Sequence, residues 1–185
     1  MKTASLWGAI VALAGTQDPQ VPGADLLKIA ATYESYGKVD DQARWGPFLC
    51  IAPPRPAALR ASASKDEKTH GKKLYYLFAK DRQAYVQPKD KTQPVGQVIV
   101  KEAWIPAATS TPERPVAGER GPLYIMMKTG DPAGDEGWIY ATTSPDRKTL
   151  TASGKIASCM ECHQTKTRDR IFGLPSSGGG AHENR

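Results

Sequence analysis

Between residues 73 and 142 the chain carries four short runs, at 73–80, 97–105, 123–128 and 138–142, each dense in aliphatic and aromatic side chains and bounded by Gly, Pro and Asp clusters. Branched and aromatic residues suit a pleated, half-buried surface, and breakers at such intervals end strands rather than long helices. Parallel neighbours would need crossovers of about a dozen residues or more, usually helical, and these connections are too short or too rich in proline for that. The runs predict an antiparallel sheet, interrupted by a short turn of helix at 81–85. Upstream, Leu26, Ile29, Ala30 and Tyr33 recur at helical spacing within 25–36 before Gly37 ends the pattern. The stretch 45–56 is apolar but holds Pro47, Pro53, Pro54 and Pro56, which limits it to an edge piece and an irregular turn, and 57–69 reads as a surface loop. Beyond Gly154 the pattern returns to helix. The fold class is therefore α+β: a mainly antiparallel β-sheet domain with an N-terminal helix and a short C-terminal helix.

With 185 residues, 39% of them apolar and 24% charged, the chain suits one domain with a real core. Lys2 followed by the apolar run 6–15, with small residues at 12–14, has the form of a secretory signal over 1–14, too short for the roughly 20 residues of a membrane span. Residues 15–24 then form a polar linker, 25–174 the domain, and the Ser- and Gly-rich 175–185 a disordered tail. These features predict export, in a bacterium to the periplasm, and no stable membrane insertion once the signal is removed. The formal net charge is +6, and loss of Lys2 leaves 24 basic residues against 19 acidic, or +5. The basic residues are scattered and not interleaved with aromatics as a nucleic-acid groove requires, so nucleic acid is excluded as a partner.

Near the end of the chain stands Cys159-Met160-Glu161-Cys162-His163. Two thiols three positions apart share one side of a helical turn, where each can add across a haem vinyl group, and the next residue places an imidazole under the iron. The run reads as the attachment site of one covalently bound haem c, with His163 as the iron ligand. Two other chemistries use similar residues. Zinc would take Cys159, Cys162 and His163 as three ligands and need a fourth, with only His70 and His182 as other histidines. A thiol–disulfide exchange site would normally sit on the helix after an early strand of a βαβ unit, a pattern this chain lacks. The third cysteine, Cys50, reads as a small buried residue. Met126 and Met127 are candidates for a sixth iron ligand in an electron carrier, or core filling; Met160 lies inside the motif and cannot cross to the opposite face of the iron.

The placement of this motif behind a run of strands, with several local runs, resembles the cytochrome P-460 family and its relatives the β-sheet cytochromes c′ (cytochrome c′-beta). The resemblance is carried by Trp45, His70-Gly71 leading into 74–78, the stretch 96–102 with Val100-Lys101-Glu102, Met126-Met127-Lys128, the stretch 137–141, and the C-terminal motif. It implies a small, mainly antiparallel sheet domain, usually dimeric, that holds a five-coordinate haem c. In hydroxylamine-oxidising members a lysine is bonded to the porphyrin edge, and the matching residue is Lys101. The period of a strand puts Lys101 on one face with Ile99, Ala103 and Ile105, and Glu102 on the other with Val100 and Trp104. An amine on an apolar face is pushed towards its neutral, nucleophilic form, unless its stem merely covers apolar surface and its charge reaches water. In c′-beta relatives phenylalanines cap the iron, which makes Phe48 and Phe78 candidates here, with ordinary core packing as the other reading; Phe172 is expected to pack at the haem edge. His70 reads as a loop residue or as a hydrogen-bond donor to a group that itself contacts the haem. The resemblance implies an exported haem oxidoreductase that oxidises hydroxylamine or a related small nitrogen species and passes electrons to another cytochrome, or else a protein that binds nitric oxide or carries electrons without turnover.

Overall fold

The computed structural model describes residues 21, 23–39, 60–61, 70–86, 92–111, 114–131, 135–166 and 168–172. The signal at 1–14, most of the linker, Trp45, Phe48, Cys50, the proline-rich stretch and the tail at 175–185 lie outside the described residues. Helix α1 (Gly23–Thr32) buries Leu26, Ile29 and Ala30, the stripe its spacing predicts, and a 3-10 turn (Tyr33–Ser35) buries Tyr33. Asp25 in the first turn of α1 complements the helix dipole. The chain then enters β1 (Gly37–Lys38). A Cβ at Gly37 would stand 2.7 Å from the Cβ of Arg82, so only glycine lets these two segments approach.

Seven strands form one antiparallel sheet among the described residues: β1, β2 (Arg60–Ala61), β3 (Leu74–Ala79), β4 (Val98–Pro106), β5 (Ala117–Lys128), β6 (Trp138–Thr143) and β7 (Leu150–Gly154). Their order is β1-β3-β4-β5-β6-β7, and β2 pairs with β3 beside Leu74 and Tyr75, while β1 pairs beside Phe78 and Ala79. Helix α2 (Arg82–Val86) fills the expected turn, and α3 (Ala157–His163) follows β7. The α+β reading is correct. β5 begins at Ala117, six residues earlier than its apolar run, because Gly118, Glu119, Arg120 and Gly121 extend a hairpin arm with little apolar content. β7 alternates partly buried and exposed positions in a Leu-Thr-Ala-Ser-Gly stretch, so its sequence carries almost no strand signal.

The period of two divides the sheet into a supporting face and a site face. On the first, Phe78, Val98, Val100, Leu123, Ile125 and Ala141 pack against Leu26, Ile29, Ala30 and Tyr33. On the second, Ala79, Ile99, Met126, Trp138 and Tyr140 pack with Tyr85 and Ile171, and Ile156, Cys159 and Met160 of the α3 region lie against them. Each fully buried large side chain contributes about 1.5–3 kcal/mol. Glu102 belongs to the supporting face: its Oε1 accepts from Tyr33 Oη at 2.8 Å and pairs with Arg147 Nη2 at 2.6 Å.

Candidate haem-binding site

Lys101 stands in the middle of β4, paired with Leu77 on β3 and Tyr124 on β5, and Tyr124 is paired in turn with Thr142 on β6. Partners across antiparallel strands share a face, so this row lies on the side of the sheet that α3 covers. Tyr75, two residues from Leu77, puts its ring 4.3 Å from Lys101 Nζ. His70 packs edge-on against Tyr124, with ring centroids 4.1 Å apart. Burial pushes the Lys101 amine down to about 8, with the nearby Lys73 charge acting in the same direction and Cys162 opposing it. The face assignment made from strand period therefore holds, and the amine is desolvated enough for its neutral form to be reached near neutral pH.

Helix α3 brings the other groups to this face. Cys159 is partly buried and Cys162 is exposed, and the two are not joined to each other as a disulfide. Burial pushes the Cys159 thiol up, the reverse of what a thiol-exchange nucleophile needs. His163 donates from Nδ1 to the carbonyl of Arg170 at 2.6 Å, since a carbonyl can only accept. That fixes the tautomer and leaves the Nε2 lone pair for a metal. Burial, opposed by this hydrogen bond, pushes the imidazole below its ordinary value, and the Lys101 charge acts in the same direction as burial. The ring is held neutral, the form that ligates, between Tyr140 at 5.4 Å and Phe172 at 5.0 Å between centroids. Among the described residues no three His, Cys, Asp or Glu side chains converge as a metal cluster would require, so Cys159, Cys162 and His163 do not gather as zinc ligands. A haem needs only one imidazole from the chain, with thiols placed for its edge, and this donor set fits it.

For Phe78, Met126 and Met127, each read as either a haem contact or core packing, the geometry favours packing. Phe78 is paired with Val100 and packs edge-on against Tyr33, with centroids 5.0 Å apart, so it lies on the supporting face and not beside Lys101. The reason is the strand period: Leu77 and Tyr75 occupy the site face, and Phe78, one residue on, must point away. Met127 likewise joins the supporting face, while Met126 is buried beneath α3 among Ile99, Trp138 and Tyr140 as core filling. Phe172 meets the His163 ring edge-on and remains half exposed.

The residues that hold His163 in place were not legible as site residues. Residues 168–170 follow α3 and are tied to residues elsewhere in the fold. Arg168 Nη2 donates to the carbonyl of Tyr85. Asp169, 4% exposed, accepts from Lys128 Nζ at 2.7 Å, Trp138 Nε1 at 3.2 Å and the Gln93 backbone at 2.6 Å. Arg170 Nε pairs with Asp135 Oδ1 at 2.9 Å, and Asp135 Oδ2 accepts from Tyr140 Oη at 2.5 Å. Burial and this carboxylate both push the Tyr140 hydroxyl up, so it stays protonated as the donor. Only the alternation of Trp138 and Tyr140 in one strand hinted that both face the same side.

A single imidazole with one nitrogen reserved, two thiols on a short terminal helix and a desolvated amine on the opposing sheet define a haem protein of the β-sheet kind rather than a small helical cytochrome. The sequence profile of the family Cytochrome P460 matches residues 57–173, and the chain belongs to that family. Haem is accordingly its cofactor, and the protein is a cytochrome. No curated protein is a significant match to the chain.

Proposed function

We propose that the chain is an exported, mono-haem c-type cytochrome of the P-460 type that oxidises hydroxylamine or a related small nitrogen species and passes the electrons to an oxidised cytochrome. Cys159 and Cys162 form the thioethers, and His163 is the proximal ligand through Nε2. When bound, the haem supplies a Lewis-acidic iron with an open position that also accepts electrons. The observation that carries the reading is the position of Lys101, whose desolvated amine faces the same side of the sheet as the cysteine pair. A neutral amine there is a nucleophile for an edge carbon of the macrocycle once a two-electron oxidant has oxidised it; the new N–C bond replaces a C–H bond, two protons leave and the oxidant takes the electron pair, giving the bond that marks the hydroxylamine-oxidising members of the family. Periplasmic location after removal of 1–14, and assembly as a homodimer, belong to the same proposal.

Binding of nitric oxide or electron transfer without turnover is the second reading. It is favoured by Leu77 opposite Lys101, by Glu102 turned to the other face, and by Asp135 engaged with Arg170 and Tyr140; none of these is a proton acceptor beside the amine. Proteolysis of the matured protein followed by mass spectrometry separates the two. The first reading expects the Lys101 peptide to travel with the haem and the Cys159–Cys162 peptide, and hydroxylamine to drive reduction of an added electron-acceptor dye. Separate peptides and no dye reduction overturn it.

A further inference from the structure

Four contacts close a ring around the proximal histidine. His163 Nδ1 donates to the Arg170 carbonyl at 2.6 Å, the Arg170 guanidinium pairs with Asp135 at 2.9 Å, Asp135 accepts from Tyr140 Oη at 2.5 Å, and the Tyr140 ring lies 5.4 Å from the His163 ring. Arg170 takes a left-handed conformation with φ of 64°, directly after Asp169 at 46°. Two successive non-glycine residues in that region are costly and persist only where the surroundings over-determine them. Asp135 is 2% exposed, a position at which an apolar residue would be easier to bury than a carboxyl group. Glu136, on the same guanidinium at 3.3 Å, is by contrast at the exposed rim.

We infer that Asp135 is a positioning residue for the iron ligand: through its ion pair it holds Arg170 in the conformation whose carbonyl accepts the His163 proton, and so sets how strongly the imidazole donates to the iron. This rests on the proposed role of His163 as that ligand. A hydrogen bond accepted from Nδ1 raises electron density on Nε2, which favours ferric over ferrous iron and strengthens the iron–imidazole bond. When the carbonyl drifts, the potential rises and the bond weakens.

The test uses haem-loaded protein carrying Asp135→Asn, Arg170→Lys or Glu136→Gln. Asp135→Asn is expected to shift the ferric-to-ferrous ratio at a fixed ambient potential about tenfold towards ferrous, about 59 mV for a one-electron couple. The ferrous iron–histidine stretching band in resonance Raman should move to lower frequency. Arg170→Lys, which keeps a cation for Asp135 but not the guanidinium, should move both readouts in the same direction by less, and Glu136→Gln should move neither. A lower melting temperature for Asp135→Asn with potential and stretching band unchanged overturns the inference and leaves Asp135 a purely structural residue. If Asp135→Asn yields no haem-loaded protein, Arg170→Lys decides, and an unmoved potential there overturns the inference equally. Failure of the underlying reading looks different: the iron–histidine band of wild-type protein would survive His163→Ala, or the haem would leave in acidic acetone.

Discussion

The buried pair of Asp169 and Lys128 offers the sharpest test of how the C-terminal turn is held. Their side chains are 1% and 8% exposed and 2.7 Å apart. Asp169→Asn keeps the shape but removes the negative charge. Its oxygen can still accept from Lys128 and Trp138, which share Oδ1, whereas its amide would face the Gln93 N–H that now donates to Oδ2, donor against donor. An ammonium left without its counter-charge in the interior, together with one lost charge-assisted bond, costs about 3–5 kcal/mol. For a chain of this size that corresponds to a fall in melting temperature of about 6–20 °C. Urea unfolding of the haem-loaded protein, followed by far-ultraviolet circular dichroism, measures the loss. Adding Lys128→Met to Asp169→Asn removes the stranded cation and should recover about 2 kcal/mol, a coupling that a double-mutant cycle isolates. A loss below about 1 kcal/mol, the range of solvent-exposed pairs, or additive single and double variants, would refute the picture of a desolvated latch.

Glu102→Gln should cost about 2–4 kcal/mol in urea unfolding, because Arg147 loses its buried counter-charge, yet leave hydroxylamine-dependent dye reduction unchanged since Glu102 serves the supporting face. Phe78→Ala should lower stability by about 3–5 kcal/mol without changing the rate of nitric oxide binding, whereas Leu77→Ala should change that rate; stopped-flow spectroscopy reads both, and the reverse pattern would reinstate Phe78. Where Lys101 is not bonded to the porphyrin, its folded value of about 8 lies below the ordinary 10.5. The unfolded chain then binds the extra proton, so stability rises with pH across that window. Lys101→Met should therefore gain roughly 3 kcal/mol at pH 7, a gain that fades by about pH 10.5 and is read from urea titrations across that range.

The strand period was enough to place Lys101 on one face and Glu102 on the other, and both assignments depend only on geometry within β4. Phe78 shows where that reasoning stops. Its sequence position is one residue from Leu77, and which of the two shares a face with Lys101 follows from the pairing of Leu77 with Lys101 across two strands, a register no local pattern encodes. The motif at 159–163 was legible because its chemistry lives in adjacent residues. The latch was not, because it assembles Tyr85, Gln93, Lys128, Asp135, Trp138 and Tyr140 around a turn with two left-handed residues of ordinary type. Charged residues such as these read as solvated surface in sequence, and only long-range packing turns them into a buried network.

The order of the chain then acquires a physical sense. Helix α3 has seven residues, no fully buried side chain, and no side-chain cap at Ile156, so neither propensity nor burial makes it a strong element alone. It leans on a sheet face built from β3, β4, β5 and β6, and the turn after it is anchored to that same sheet by Asp169 and to Asp135 by Arg170. A haem joined to Cys159 and Cys162 and ligated by His163 would add its own binding free energy to a helix otherwise held from one side, so cofactor attachment and the ordering of α3 should be thermodynamically linked. The sheet face against which α3 packs is the one that carries Lys101.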